Sequence, residues 1–484
     1  MNIRKLAGDT AFAFLSQGVA FLASFAMSLL VPKFLGVTEF GYWQLFIFYA
    51  SYVGFFGLGS IDGLYLSIGG TRRADADKKD IASQLLLSTG MVFIFSCGLA
   101  ALSGFVVDDG KRAEAICFTA AYAVLSHLAG SFGLIFQAMN ETRLYSFSVI
   151  VDRVLFLVPL FVLLALRVDV FEPYAVAYIC SKAFALAFCI AYGRDIVSTG
   201  LLPFVEGVKH MASSIKIGFS LMVAGVADML ILGAARALVD FAWGIETFGK
   251  VSFALSLVNF FIAFVSQASM VLFPALRQGS DCERRRFYEA LKGVAEIVFP
   301  AAYLLYLPAV CVLGVWLPQY AESMRYFAVL LPVCVFNAKM DISCTTYFKV
   351  LREERILLRV NLATVAASAA LSFAGVYLFG SLDAVLLGVV ACLVGRSLWC
   401  ERYLDKVLTV PSSPLVLEEV LLTAVFVVSS LLLPPVSSFF LYAGAYGAYL
   451  FLNRRIALSL LGSARRASRK QRPDLFDNSS NWRR

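Results

Sequence analysis

Polar residues interrupt this chain at short intervals and leave long, unbroken apolar runs between them. The runs fall at 8–31, 41–68, 84–107, 114–138, 147–168, 174–193, 215–237, 250–275, 291–316, 326–349, 357–379, 383–400, 417–435 and 437–453. Each is on the order of 20 residues, the length of helix needed to cross about 30 Å of hydrocarbon. Within a run the residues are continuously apolar rather than alternating, so the pattern predicts helices and not the strands of a barrel. The predicted fold class is all-α: a polytopic membrane protein of about fourteen transmembrane helices. The closing pair reads as either one hairpin or two full crossings.

One glycine pair occurs twice between such runs. Gly36-Val37-Thr38-Glu39-Phe40-Gly41-Tyr42 and Gly244-Ile245-Glu246-Thr247-Phe248-Gly249-Lys250 share their spacing, with Phe40 and Phe248 in register. This marks an internal repeat, a half duplicated in tandem. A second glycine cluster, Gly54-Phe55-Phe56-Gly57-Leu58-Gly59-Ser60-Ile61-Asp62-Gly63, loosens the end of the second run. It predicts either a hinge lining a pathway or close helix packing. Pro159, Pro300, Pro308 and Pro332 predict further bends, tolerated where neighbouring helices satisfy the freed carbonyls.

Composition agrees with the pattern. Of the residues, 60% are hydrophobic and only 15% charged, a balance unsuited to a water-facing surface. The aromatic share of 14% suits lipid-facing rings and interfacial belts. The net charge of +8 is a topology signal. One set of connections carries Arg4, Lys5, Arg72, Arg73, Lys78, Lys79, Arg143, Arg194, Lys209, Lys216, Arg277, Arg284, Arg285, Arg286, Lys292, Arg352, Arg355, Arg402 and Lys406. The opposite set has only Lys33, Lys111, Arg112, Arg167, Arg236, Lys250 and Arg325. By the positive-inside rule both termini are cytoplasmic. The basic tail from Arg454 to Arg484 is either a plain solvated end or a segment lying on anionic lipid, and no nucleic-acid partner is needed to explain the charge. The first run is longer than a signal-peptide core of about 7–15 residues and is expected to remain as an anchor.

Catalytic chemistry finds little material. None of the ten cysteines forms a C-x-x-C pair, and Cys97, Cys117, Cys180, Cys189, Cys311, Cys334, Cys344 and Cys392 lie inside apolar runs, where they read as small buried hydrophobes. With only two histidines, His127 and His210, neither a metal site nor a Ser-His-Asp triad is readily assembled. The connections on the side opposite the basic ones are about a dozen residues or less by these bounds, and their acids are scattered. A membrane enzyme of sugar transfer needs more room outside the bilayer, so the shape predicted is that of a transporter and not an enzyme.

A transporter's site is expected where charge is buried at a cost of roughly 2.5–3.5 kcal/mol per group. The mid-membrane candidates are Asp62, Asp152, Arg153, Lys182, Asp228, Glu296, Lys339 and Asp341. Lys182 is a suitable partner for Asp152, whereas Asp152 and Arg153 point about 100° apart. Lys339 and Asp341 sit in a polar interruption ending in Cys344-Thr345-Thr346. Asp228 has no base near it in sequence, and Glu296 is placed close enough to the cytoplasmic end to snorkel. For each, the alternative to contact with cargo is an ion pair or hydrogen bond that ties helices together.

The stretch from Val31 to Tyr42, the Gly-Leu-Gly region and Asp62-Gly63-Leu64-Tyr65-Leu66 resemble the opening of bacterial polysaccharide and O-antigen flippases, in the multidrug/oligosaccharidyl-lipid/polysaccharide exporter superfamily. Gln137 to Ser146 resembles that family's turn before the fifth helix, and Tyr347 to Arg355 its turn after the tenth. The resemblance runs in order over nearly the whole chain. It implies a six-helix lobe at 1–200, a second at 201–410, two extra helices at 411–453 and a basic cytoplasmic tail at 454–484, in a bacterial inner membrane. It implies as cargo a polyprenyl-pyrophosphate-linked oligosaccharide of O-antigen, capsule or exopolysaccharide assembly, with polymerase and assembly proteins as partners.

On the same footing, Arg153, Lys182 and Lys339 are assigned to pyrophosphate or acidic-sugar contact, and Asp62, Asp228 and Asp341 to coupling with H⁺ or Na⁺, with no other cofactor or metal. The first helix lacks the buried arginine of lipid II flippases, which weighs against lipid II itself. The competing readings are a cation-coupled multidrug antiporter of the same superfamily, a membrane enzyme of polysaccharide assembly and a non-transporting scaffold.

Overall fold

The apolar runs all become helix in the computed structural model, which describes residues 3–278, 281–351, 353–411 and 413–454. In chain order they are α1 (3–34), α2 (37–68), α3 (Lys78–Val106), α4 (Gly110–Ala138), α5 (Thr142–Ala165), α6 (Glu172–Tyr192), α7 (204–243), α8 (245–278), α9 (281–316), α10 (323–350), α11 (Glu354–Tyr377), α12 (Leu382–Val407), α13 (Leu415–Leu432) and α14 (Pro435–Leu452). The described residues are 88% helical and contain no strand. Among the described residues eleven helices are long and apolar enough to cross a membrane, and the bent α2 makes twelve. Gly244, at φ 78° and ψ −178°, divides one of the eleven into α7 and α8, and α14 completes the expected series. The basic tail beyond Arg454 lies outside the described residues.

Local chemistry sets the helix ends. Asp77 caps α3 by accepting from the N–H groups of Lys79 and Asp80 at 3.1 and 3.2 Å, and Asp109 does the same for α4. Each cap is worth about 1 kcal/mol. Pro300 has no N–H to give to the Glu296 carbonyl four residues earlier, and α9 tightens there into the 3-10 turn Phe299–Leu305. The freed carbonyls find donors on α14: Tyr449, Tyr446 and Tyr442 give hydrogen bonds to Glu296, Ile297 and Pro300 at 3.1, 2.7 and 2.8 Å. A ladder of tyrosines at helical spacing therefore docks the last helix on the kink that the proline makes.

The duplication is visible in the turns. After α4 the Glu141 N–H reaches back to the Phe136 carbonyl at 2.8 Å, and after α10 Glu353 reaches Phe348 at 2.8 Å in the same way. The paired glycine motifs are not loops: each opens a helix, with Gly36 preceding Val37–Ser51 and Gly244 preceding α8. They also meet. A Cβ on Gly41 would stand 2.6 Å from the Ile245 carbonyl, and one on Gly249 would stand 3.0 Å from Gly41 Cα. The repeated glycines let α2 and α8 cross backbone to backbone.

The apolar cores divide the molecule unequally. One large core joins both halves, with Trp43, Phe46, Phe156 and Tyr178 from the first and Phe253, Val258, Phe327 and Leu331 from the second. At the end bearing the basic connections there are two separate cores: one of Ile61, Leu64, Ile81, Phe132 and Phe136, the other of Tyr288, Met340, Tyr347, Phe348 and Leu404. The apolar cores are continuous between the halves at one end and separate at the other, where the contact between the halves is the packing of α2 on α7.

Three expectations are corrected. Cys97, Cys117, Cys180 and Cys311 are exposed on the outer faces of apolar helices rather than buried. Arg236 lies within α7, and Lys292 lies within α9, only 3% exposed. Glu296 is wholly buried and does not snorkel, because α13 and α14 cover that face of α9.

Candidate functional site

Charge at mid-membrane depth gathers in three places. In the first half, Lys182 of α6 donates to Asp152 of α5 at 2.7 Å, and Ser181 adds a second bond at 3.1 Å. Arg153, one residue on and therefore turned away, comes no closer than 3.7 Å to that carboxylate. Its guanidinium reaches the Tyr178 hydroxyl only at 3.5 Å, and its Nε is buried without a hydrogen-bond partner. Tyr178 stacks on Tyr122 at 5.3 Å and meets Phe156 edge-on at 5.1 Å. The site is an under-satisfied cation in an aromatic wall, suited to an anion.

In the second half, Asp228 of α7 has a partner that sequence proximity did not reveal: Arg396 of α12. Arg396 also donates to Asn337 of α10 at 3.0 Å and to Asn361 of α11 at 3.4 Å. The Asp228 side chain is 57% exposed and that of Arg396 only 5%, so the carboxylate is the open face of the pair. From α11 and α12 a cavity of about 640 Å³ reaches Arg396, lined also by Arg359, Trp399 and Tyr403. Arg359 is exposed and has no ion pair among the described residues.

The third place holds Lys339. Its side chain is 0% exposed, donates to Glu419 of α13 at 2.6 Å and lies 3.0 Å from Glu401 of α12. It faces carboxylates of α12 and α13, so Arg153 and Lys182 are not joined by Lys339 in one site. Asp62, in the first turn of Ser60–Ile68, is half-buried and bonded to its own backbone N–H. Asp341 is half-buried in the π turn Met340–Thr345 of α10. Asp62, Asp228 and Asp341 are on separate helices, and no contact among the three occurs in the described structure. Sequence reasoning missed Arg396, Glu401 and Glu419: Arg396 and Glu401 lie at the end of the apolar run 383–400 and Glu419 at the start of the next, where a charge reads as interfacial, although α12 continues to Val407.

The closed end is held by contacts between the halves. Arg236 is sandwiched between Phe48 of α2 at 4.9 Å and Phe248 of α8 at 5.1 Å, and gives a hydrogen bond to Ser252 at 2.9 Å. Gln44 donates to Ser256 at 3.3 Å, Tyr52 to the Met229 carbonyl at 3.1 Å, and Arg112 to both oxygens of Asp240 at 2.5 and 2.8 Å. Lys33 lies over Trp316 at 4.9 Å, and Gln319 donates to the Pro32 carbonyl at 3.0 Å.

At the basic end α2 is broken. Leu58 and Gly59 have φ of 47° and 75°, and the two parts of the helix meet at 61°. The second part lies against α7 so closely that a Cβ on Gly63 would be 1.8 Å from the Ser214 carbonyl and one on Gly218 would be 2.1 Å from that of Gly59. The glycine cluster is a close packing site at a break in the helix. In the adjoining connections Arg73 donates to Glu141 at 2.7 Å and to Asp195 at 3.1 Å. That bond, assisted by Lys78, holds the Asp195 carboxyl well below the usual carboxylate range.

No protein-family model matches the sequence, and no curated protein is significantly similar to it. Among solved structures it is similar to the lipid II flippase MurJ in an inward closed conformation, with a TM-score of 0.62 and 9% identity over 93% of this chain and 99% of that one. It is also similar to an inward-facing multidrug resistance MATE family transporter of the MOP superfamily, with a TM-score of 0.52 and 15% identity over 82% of this chain and 96% of that one. A MATE protein in the straight conformation gives 0.51 and 14% over 84% and 95%. The chain has the fold these transporters share.

Proposed function

We propose that this protein is a flippase that carries a polyprenyl-pyrophosphate-linked oligosaccharide across the bacterial cytoplasmic membrane by alternating access. The observation that carries the reading is a guanidinium in each half, the half-buried Arg153 and the buried Arg396, at mid-membrane depth in a fold shared with a lipid II flippase. A pyrophosphate and sugars do not cross hydrocarbon unaided, and a guanidinium offers paired donors to phosphate oxygens. Separate cores at the basic end and a joined core at the other match a carrier waiting for cargo made on the cytoplasmic side. Arg153, Lys182, Arg359 and Arg396 are proposed to contact the anionic head group. Asp62 is proposed as the coupling carboxylate, since Arg396 already neutralises Asp228. A multidrug antiporter would favour an acidic cavity for organic cations; the free Arg359 argues the other way.

The test is lipid extraction from cells lacking the gene and from cells carrying Arg153→Ala or Arg396→Ala. Complete lipid-linked repeat units should accumulate on the cytoplasmic leaflet in all three. Normal polymer with no accumulation in the deletion strain would overturn the proposal.

A further inference from the structure

The cluster around Lys339 contains more negative charge than its bases can balance. Lys292 of α9 and Asp405 of α12 neutralise each other, with Nζ 2.8 and 2.6 Å from the two carboxylate oxygens. That leaves Lys339 as the ammonium not already neutralised by Asp405 that faces Glu401, Glu419 and Glu296, residues no more than 1% exposed. Glu419 accepts from Lys339 through Oε2 and Glu296 accepts from Ser413 through Oε2 at 2.7 Å. Glu419 Oε1, Glu296 Oε1 and Glu401 Oε2 have no hydrogen-bond partner. An ionised carboxylate with a bare oxygen in a dry interior is strongly disfavoured, whereas a carboxylic acid is neutral and can donate to its neighbour. The other titratable groups facing the three glutamates are Tyr288 and Tyr303 of α9, Cys344 of α10, Cys400 of α12 and Tyr442 and Tyr449 of α14. None of these supplies positive charge, and Arg396 is committed to Asp228.

We infer that Glu296, Glu401 and Glu419 form a buried proton-binding site, closed by α13 and loaded while the protein is at neutral pH. Among the described residues no three His, Cys, Asp or Glu side chains are gathered closely enough to hold a metal ion, which favours a proton over a coordinated cation. The inference does not depend on the identity of the cargo, because the experiment reads the resting protein.

Infrared spectra of the purified full-length protein in nanodiscs at neutral pH should contain the C=O stretch of a protonated carboxylic acid. Glu296→Gln, Glu401→Gln and Glu419→Gln are read separately, and at least one should remove the band area of one carboxyl group. Lys339→Met removes the ammonium that pairs with Glu419 and should add the area of one. A wild-type spectrum without the band overturns the inference whether or not any variant folds, as does a band unchanged in all three glutamine variants. Loss of the wild-type band on adding Na⁺ at constant pH would overturn it in favour of a sodium site.

Discussion

At the scale of single residues, the charges inside this membrane protein sort by whether their partners are complete. Asp152 is complete: it is buried and takes bonds from Lys182 and Ser181. Lys182→Ala should therefore strand a buried carboxylate and cost on the order of 3 kcal/mol, measurable as a lower midpoint of unfolding in detergent. Arg153 is incomplete, and Arg153→Lys, which keeps charge but loses the planar fork, should lower flipping far more than stability. Equal losses in transport and in unfolding midpoint would count against its role. Outside the bilayer, Asp195 is held ionised by Arg73. Its folded value is depressed, so its contribution to stability is full above the ordinary carboxylate value of about 3.9 and is lost as pH falls below it. Hydrogen-exchange protection factors in the 69–77 connection, corrected for the intrinsic rate, should fall on acidification through that range, and Asp195→Asn should remove that pH dependence.

At the scale of elements, helix positions were legible because spanning hydrocarbon demands a continuous apolar run, whatever the neighbours. The Asp152–Lys182 pair was legible because consecutive helices α5 and α6 pack together. Asp228 with Arg396 was not, since their contact joins residues 168 apart along the chain, and no periodicity records which distant helix a face will meet. Likewise Lys339 reads as a lone charge until α12 and α13 close over it. The glycine repeat announced a duplication but not that its two copies touch. That contact makes a prediction: Gly41→Leu has no room against Ile245 and should part α2 from α8. Gln44→Cys with Ser256→Cys should crosslink readily in the parent chain and poorly beside Gly41→Leu. Equal crosslinking in both would show that the crossing is not closed by Gly41.

For the whole molecule, the proposed function requires a change in the arrangement of cores for cargo to leave at the far end. The joined core has to part between Phe40 and its partners Phe253 and Tyr320, while the separate cores come together. Arg236 straddles that seam between Phe48 and Phe248. Arg236→Ala should shift the population toward the oppositely open form, seen as faster labelling of a cysteine at Ser256 by a membrane-impermeant reagent in intact spheroplasts. Unchanged labelling would mean that the glycine crossing and the Arg112–Asp240 pair suffice to hold the seam.

The burial of Lys339 also bears on how the chain is made. Its carboxylate partner Glu419 lies 80 residues downstream, so α10 has to enter the bilayer with a lysine whose closing helix has not yet been synthesised. At roughly 5–20 residues per second the wait is about 4–16 s, during which the ammonium bears an insertion cost of roughly 3 kcal/mol alone. Helix α10 is thus a segment whose insertion is completed late, and the insertion machinery must shelter it until α12 and α13 arrive.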